Sequence, residues 1–185
     1  MRIALFGGSF DPPHLGHVLA AVTARSRAGV DAVWVLPVAR HPYGKQLAPW
    51  AQRWQLCHAA FAPLGPWISV RDAELANPSG FTFDLVTHLT ATHPEHQWAL
   101  IGGSDIATDL PNWHRGAELA KLVEVIAIAR RGHGGDADPA AIPAISSREI
   151  RAALQAGQAT EQVLPAAVLA EIRTHGWYRV AGSSP

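Results

Sequence analysis

At 185 residues, 48% apolar and 16% charged, the chain suits one domain with a substantial core, and a disordered or low-complexity protein is excluded. Lys+Arg and Asp+Glu balance at 15 each, so no bulk positive field gathers nucleic acid or a membrane surface, although local basic spots can still hold a small phosphorylated ligand. The single cysteine, Cys57, has no partner for an intramolecular disulfide, and it reads as a buried thiol on a helix.

Apolar, β-prone runs alternate with helix-like runs along the chain. Residues 2–6 read as a strand, 14–28 as a helix, 32–37 as a second strand and 49–62 as the next helix. A short strand at 67–70 precedes a helix at 81–92 that ends before Pro94. Residues 97–101 form a strand followed by a turn at 102–105; 116–121 form a short helix and 123–129 the fifth strand. Residues 132–143 are a loop by their glycine and proline content. Ser146 and Glu149 then make a Ser-x-x-Glu capping box for a helix that runs through Ala156 and stops at Gly157. A last helix at 165–175 begins with proline and ends at Gly176.

This alternation predicts a single doubly wound, Rossmann-like α/β domain over residues 1–180, with a parallel sheet of about five strands and helices on both faces. Residues 181–185 read as a frayed tail. The first apolar run meets Gly7-Gly8 too soon for a signal peptide. No window approaches the roughly 20 apolar residues that span a bilayer. The expected location is the cytoplasm.

Chemistry concentrates at Gly7-Gly8-Ser9-Phe10-Asp11-Pro12-Pro13-His14-Leu15-Gly16-His17. A strand, a glycine-rich turn and a helix start follow one another here, which lets backbone N–H groups and a helix N-terminus face a phosphate. His14 and His17, three apart, share one helical face and can stabilise charge on a phosphoryl group. The chain therefore reads as a nucleotide enzyme. Residues 7–17, 37–45 and 102–105 all sit just past strand ends, where open parallel sheets bind ligands.

The string from Gly7 to His17 resembles the signature of the nucleotidyltransferase superfamily with a His-x-Gly-His motif. Ile145-Ser146-Ser147-Arg148-Glu149-Ile150-Arg151 is similar to its second motif, except that Arg148 stands where the family has threonine. Within the superfamily the resemblance is nearest to the bacterial nicotinate-nucleotide adenylyltransferase family, over nearly the whole chain. It implies attack of the nicotinate mononucleotide 5′-phosphate on the α-phosphorus of ATP, giving deamido-NAD and pyrophosphate. Magnesium would accompany ATP through its phosphates, with no metal held by protein side chains.

The resemblance also implies roles. His14, His17 and Arg151 act on transferred charge, while Gly7, Gly8, Ser9, Phe10, Lys45, Ser146, Ser147 and Arg151 hold ATP phosphates. Lys45 is one of two lysines; its alternative is a solvated loop charge, with Arg40 and His41 as substitutes. Gly102 and Asp105 hold ribose hydroxyls. Thr82, Trp113 and His114 read the pyridine nucleotide, Trp113 by stacking and His114 through a ring N–H; Phe81 lacks the hydroxyl of the tyrosine frequent there. Arg130 and Arg131 resemble an arginine position near the adenine. The eight histidines other than His14 and His17 are not expected to make a metal site, since none forms His-Glu-x-x-His or pairs with cysteine at zinc spacing; His93 and His96 bracket Pro94 in a loop and read as surface histidines.

Rival readings keep the fold and change the acceptor to nicotinamide mononucleotide or phosphopantetheine, or change the transferred group to cytidylyl. Another rival is a nucleotide-binding regulator without turnover, encouraged by Arg148 and the shifted Lys45 but opposed by the two histidines. A homo-oligomer stays open.

Overall fold

A computed structural model of the chain describes residues 1–132 and 137–179. Five strands, β1 (Arg2–Gly8), β2 (Ala32–Pro37), β3 (Ile68–Val70), β4 (Gln97–Gly103) and β5 (Val123–Ile128), form one sheet. They pair in the order β3-β2-β1-β4-β5, every pair parallel. Among the described residues the helices are α1 (Leu15–Ala28), α2 (Trp50–Phe61), α3 (Thr82–Thr92), α4 (Ile106–Asp109), α5 (Gly116–Leu122), α6 (Ser147–Gln155) and α7 (Ala166–His175). This is the doubly wound α/β architecture that the alternation of patterns predicts.

Successive strand residues point to opposite faces, and the chain uses that period to feed two cores. Ala4, Phe6, Val33, Val35, Ala99 and Ile101 face one side, where Leu56, Phe61, Val168 and Ile172 of α2 and α7 cover them. Helix α1 joins that side through Ala20, Ala21 and Ala24, whose small side chains let its axis lie close to the sheet. On the other face Ile3, Leu5, Trp34, Leu36, Trp98 and Leu100 pack against Phe83, Val86 and Leu89 of α3 and Leu119 of α5. Cys57 is fully buried in the first core, and burial raises its thiol pKa far above the ordinary value.

Four local features depart from the sequence pattern. The strand expected to end at residue 6 continues through Gly8, so Gly7 and Gly8 pair with Leu36 and Pro37 in the sheet and the expected glycine turn is not formed there. The strand expected to end at residue 101 continues to Gly103, and the turn after it leads into the four-residue α4 and a short 3₁₀ helix at Leu110–Asn112. Another 3₁₀ helix, Ala73–Ala76, lies between β3 and α3. Such short elements offer no period to read. Ser146 is the N-cap of α6 in extended backbone, as expected, but its side chain makes no cap hydrogen bond, so the Ser146–Glu149 capping box is not formed.

In the expected loop 132–143, residues 133–136 lie outside the described residues, and Arg130 and Ile142 form a parallel bridge at its base. The expected tail 181–185 also lies outside them, as does Val180 at the expected domain end. No helix among the described residues is long and apolar enough to cross a membrane.

Phe61 closes the first core against the loop that follows β1. Its ring is 1% exposed and meets those of Phe6 and Phe10 edge-on, at centroid distances of 6.4 and 5.9 Å. Phe61→Ala is expected to cost about 3–5 kcal/mol, read as a lower urea midpoint with an unchanged slope.

Candidate active site

The strand order reverses beside β1: β2 and β3 lie on one side, β4 and β5 on the other. Chain segments leaving the carboxyl ends of β1 and β4 diverge there and leave a crevice. Three cavities open side by side at this edge. One of about 310 Å³ is lined by Tyr43, Glu74, Phe81, Thr82, Trp113 and His114. A second, about 340 Å³, is lined by Lys45, Ser146, Ser147, Arg148 and Arg151. The third, about 230 Å³, is lined by His14, Gly102, Gly103, Arg130 and Ile145. Ser9 belongs to the first two, His17 to the second and third, and Gly7 to the first and third. The end of β1 and the start of α1 are therefore the junction of the crevice.

The histidine pair is built by the turn into α1. His14 is the N-cap, and its backbone N–H donates to His17 Nδ1 at 3.1 Å. That bond requires Nδ1 to carry no proton, so neutral His17 bears its hydrogen on Nε2. The two rings stack at 3.7 Å between centroids. Burial, with the charge of Arg130 second, lowers the His14 pKa to about 4. Burial, then His14 and Arg130, holds His17 well below the ordinary value. Both imidazoles are thus neutral donors at pH 7 in the free protein, rather than resident cations. Gly16 keeps the pair in place: a Cβ there would lie 3.1 Å from the His14 ring and 3.5 Å from Ile145.

Around the second cavity, Lys45 Nζ lies 3.4 Å from Ser9 Oγ, which brings the loop after β2 against the loop after β1. Helix α6 points its N-terminus into this space, where its first-turn N–H groups have no partner within the helix. The Ser147 hydroxyl donates to Pro12 O at 3.0 Å and ties the helix to the β1 loop. Arg151 donates to the Asp11 carbonyl and sits 3.7 Å from its carboxylate. Arg148, the departure from the family threonine, adds an exposed guanidinium to the same lobe.

In the first cavity the Phe81 and His114 rings stack at 4.2 Å, with Trp113 half-exposed at the lip and Thr82 at the start of α3. Gly102 lines the third cavity. Asp105 does not line it, but its carboxylate lies 3.8 Å from Arg130, which does. Gly103 lets the Asp105 and Arg130 side chains close over it: a Cβ would come within 2.6 Å of Asp105 Oδ1 and 2.9 Å of the Arg130 guanidinium and would displace them. Arg130 faces the site, whereas Arg131 is exposed.

Several residues that shape the site gave no sequence signal. Arg53, on α2 and 1% exposed, donates to the carbonyls of Ala48, Ser9 and Val38 at 2.9, 2.9 and 2.8 Å. One side chain thereby fixes the β1 loop to both ends of the Lys45 loop. Tyr178 donates its hydroxyl to Asp11 Oδ1 at 2.8 Å, while the Ala48 N–H donates to Oδ2 at 3.3 Å. Phe10, by contrast an expected phosphate-binding residue, lines the second cavity although it is 1% exposed, and packing against Phe6, Phe61 and His17 holds its φ of +46° in the left-handed region. Glu74 is 6% exposed and accepts from the Asn77 amide at 3.0 Å; burial, only partly opposed by that bond, raises its pKa to about 7.

Comparison with known proteins follows the same lines. A model of the family described as Cytidylyltransferase-like matches residues 5–153. A probable nicotinate-nucleotide adenylyltransferase of Anaeromyxobacter sp. (strain K) is 43% identical over 181 residues, covering 96% of this chain and 97% of that protein. A protein of the same description from Thermus thermophilus is 35% identical over 187 residues, 97% of this chain and all of that one. The solved structure of Plasmodium falciparum nicotinic acid mononucleotide adenylyltransferase complexed with NaAD is similar, with a TM-score of 0.78 over 96% of this chain and 97% of that one. At 21% identity that likeness is one of fold.

Arg53→Leu would leave three carbonyls without their donor, and it is expected to cost about 3–5 kcal/mol in denaturant unfolding. Glu74 carries a pH signature. Its folded pKa is raised, so the stability it contributes is full below about pH 4.5 and is lost as pH rises through about 7. Glu74→Gln, which never ionises, should therefore be more stable than the parent at about pH 8, by up to ~3 kcal/mol. That gap should close at about pH 5, as read from melting curves at the two pH values.

Proposed function

We propose that this chain, which belongs to the cytidylyltransferase-like family, transfers the adenylyl group of ATP to nicotinate mononucleotide, giving deamido-NAD and pyrophosphate. The observation that carries this reading is the junction of three cavities at Gly7, Ser9 and His17. Adenylyl transfer needs one space for an acceptor, one for a triphosphate and one for a nucleoside, all meeting at a single phosphorus.

In this reading the pyridine ring enters the Phe81–His114–Trp113 cavity, and its 5′-phosphate reaches the end of β1. Adenosine occupies the cavity of Gly102, Gly103 and Arg130, with Asp105 at the ribose edge. The β- and γ-phosphates lie at the N-terminus of α6 between Lys45, Arg148 and Arg151. An acceptor phosphate oxygen attacks the α-phosphorus, a new P–O bond forms, and the bond to the β-phosphate bridging oxygen breaks. Pyrophosphate leaves with that electron pair. Such a transfer is mostly positioning and charge stabilisation. The neutral His17 ring donates its Nε2–H to the α-phosphate, and His14 flanks it.

Magnesium belongs to this reaction as part of its nucleotide substrate, spreading the charge of the leaving pyrophosphate. The donor set fits that role and not a protein-held ion. Asp11, the carboxylate of the phosphate lobe, is 2% exposed and committed to Tyr178, Ala48 and Arg151. In a cell the reaction would be placed in the cytoplasm, where both nucleotides are met.

The test is pyrophosphate release from MgATP with nicotinate mononucleotide, nicotinamide mononucleotide and phosphopantetheine compared side by side. Nicotinate mononucleotide should be fastest; if it is slowest, the acceptor assignment fails. His17→Ala should lower turnover about 100-fold or more while changing ATP affinity less than tenfold. Equal losses in both would identify a nucleotide binder instead.

A further inference from the structure

At the opposite, amino-terminal end of the strands, the loop between α3 and β4 gathers His93, Glu95 and His96. Glu95 Oε1 lies 3.8 Å from His93 Nδ1 and 3.3 Å from His96 Nδ1. One donor atom from each of the three residues lies within 4.8 Å of the other two. The imidazole planes are nearly parallel, 10° apart, with centroids separated by 5.7 Å. Both rings are braced edge-on by Trp34 and Trp98, at 5.4 and 6.0 Å from Trp34 and 6.3 and 5.6 Å from Trp98.

We propose that His93, Glu95 and His96 form a binding site for one borderline transition-metal dication such as zinc. A tetrahedral zinc ion with bonds of about 2.0–2.1 Å holds its donors about 3.3 Å apart. The His96–Glu95 separation matches that already, and the His93–Glu95 and His93–His96 separations, 3.8 Å and within 4.8 Å, need to close further, in a four-residue loop whose His96 N–H donates to the His93 carbonyl at 3.1 Å.

A second observation points the same way. His96 Nδ1 is shielded from solvent and makes no hydrogen bond of sound geometry, although the Glu95 carboxylate stands beside it. A shielded nitrogen without a partner is costly, and coordination to a metal is a use for its lone pair. Two imidazoles and one carboxylate leave an open position for water and favour Zn²⁺, Ni²⁺ or Cu²⁺ over the oxygen-preferring Mg²⁺.

The site is independent of the crevice. Glu95 and His96 precede the first residue of β4, whereas Gly102 and Gly103 end it; six strand residues at about 3.3 Å each separate the two by ~20 Å. Occupancy would pin the α3–β4 connection without touching substrate.

Calorimetric titration of the full chain with ZnCl₂, with MgCl₂ as control, tests this. The parent should bind zinc and not magnesium, and zinc should raise Tm by a few degrees by binding the folded form. The doubly substituted His93→Asn, His96→Asn protein should lose one equivalent of zinc. Because those rings also pack on tryptophans, Glu95→Gln provides a variant at an exposed position that keeps the packing, and it should weaken the same equivalent about tenfold or more. Zinc bound with the same stoichiometry and affinity in all three proteins, or no zinc bound by the parent at about 1 mM, overturns the proposal.

Discussion

Everything in the crevice hangs on one constraint: β1 is the strand at which the winding of the sheet changes direction. Strands placed to either side of it need crossovers on opposite faces, so the segments leaving β1 and β4 cannot pack on each other. The space between them is a consequence of topology and not of any single side chain. Burial on both faces then demands a continuous apolar strand, which Ile3–Phe6 supplies, and demands that the chain turn sharply once it emerges. Gly7 and Gly8 are the last residues of the strand before that turn, and there a backbone without side chains can lie against a phosphate.

A loop placed by topology is not yet a rigid loop, and the chain uses buried polar bonds to make it so. The Arg53 guanidinium gathers carbonyls from Ser9, Val38 and Ala48. Asp11 gathers Tyr178, Ala48 and Arg151. These two charges lie near each other; the carboxylate of Asp11 partly offsets the burial that lowers the Arg53 pKa. Helix α2, helix α6 and the C-terminal segment thereby converge on one stretch of about five residues. Phe10 can hold a positive φ there because so much else is fixed around it.

Strand and helix periods and the two motifs at Gly7–His17 and Ile145–Arg151 were legible in the residues because each is a local pattern, although Gly7 and Gly8 extend the strand instead of turning it. The phosphate-binding expectations for Ser9, Lys45, Ser146 and Arg151 converge on one lobe, and those for Thr82, Trp113 and His114 on another. Arg53 was not legible: it sits on an otherwise ordinary amphipathic helix, and only the fold brings it to three carbonyls. Tyr178 lies 167 residues from Asp11, and no spacing rule reaches that far. His93 and His96 were visible as a pair but were set aside as surface histidines, since with Glu95 their i, i+2, i+3 spacing matches neither a helical face, a strand face nor a zinc motif. Ser146 shows the reverse error, a capping pattern whose side-chain bond is not made although the helix starts where the pattern says.

The charge arrangement explains why histidine, and not lysine or arginine, stands at the junction. Lys45, Arg148 and Arg151 already bring three cations to the phosphate lobe, against one buried carboxylate, and Arg130 stands in the neighbouring lobe. Two further fixed cations at the start of α1 would repel these and one another in the free protein, in a volume where burial weakens solvent screening. Neutral imidazoles avoid that repulsion and still offer an N–H to a phosphoryl oxygen. Their low pKa values belong to the empty crevice, because the same burial that disfavours an isolated imidazolium strengthens its attraction to a bound triphosphate. In the proposed transfer the pair would therefore gain positive character only as negative charge arrives and grows, which is when stabilisation lowers a barrier instead of merely tightening binding.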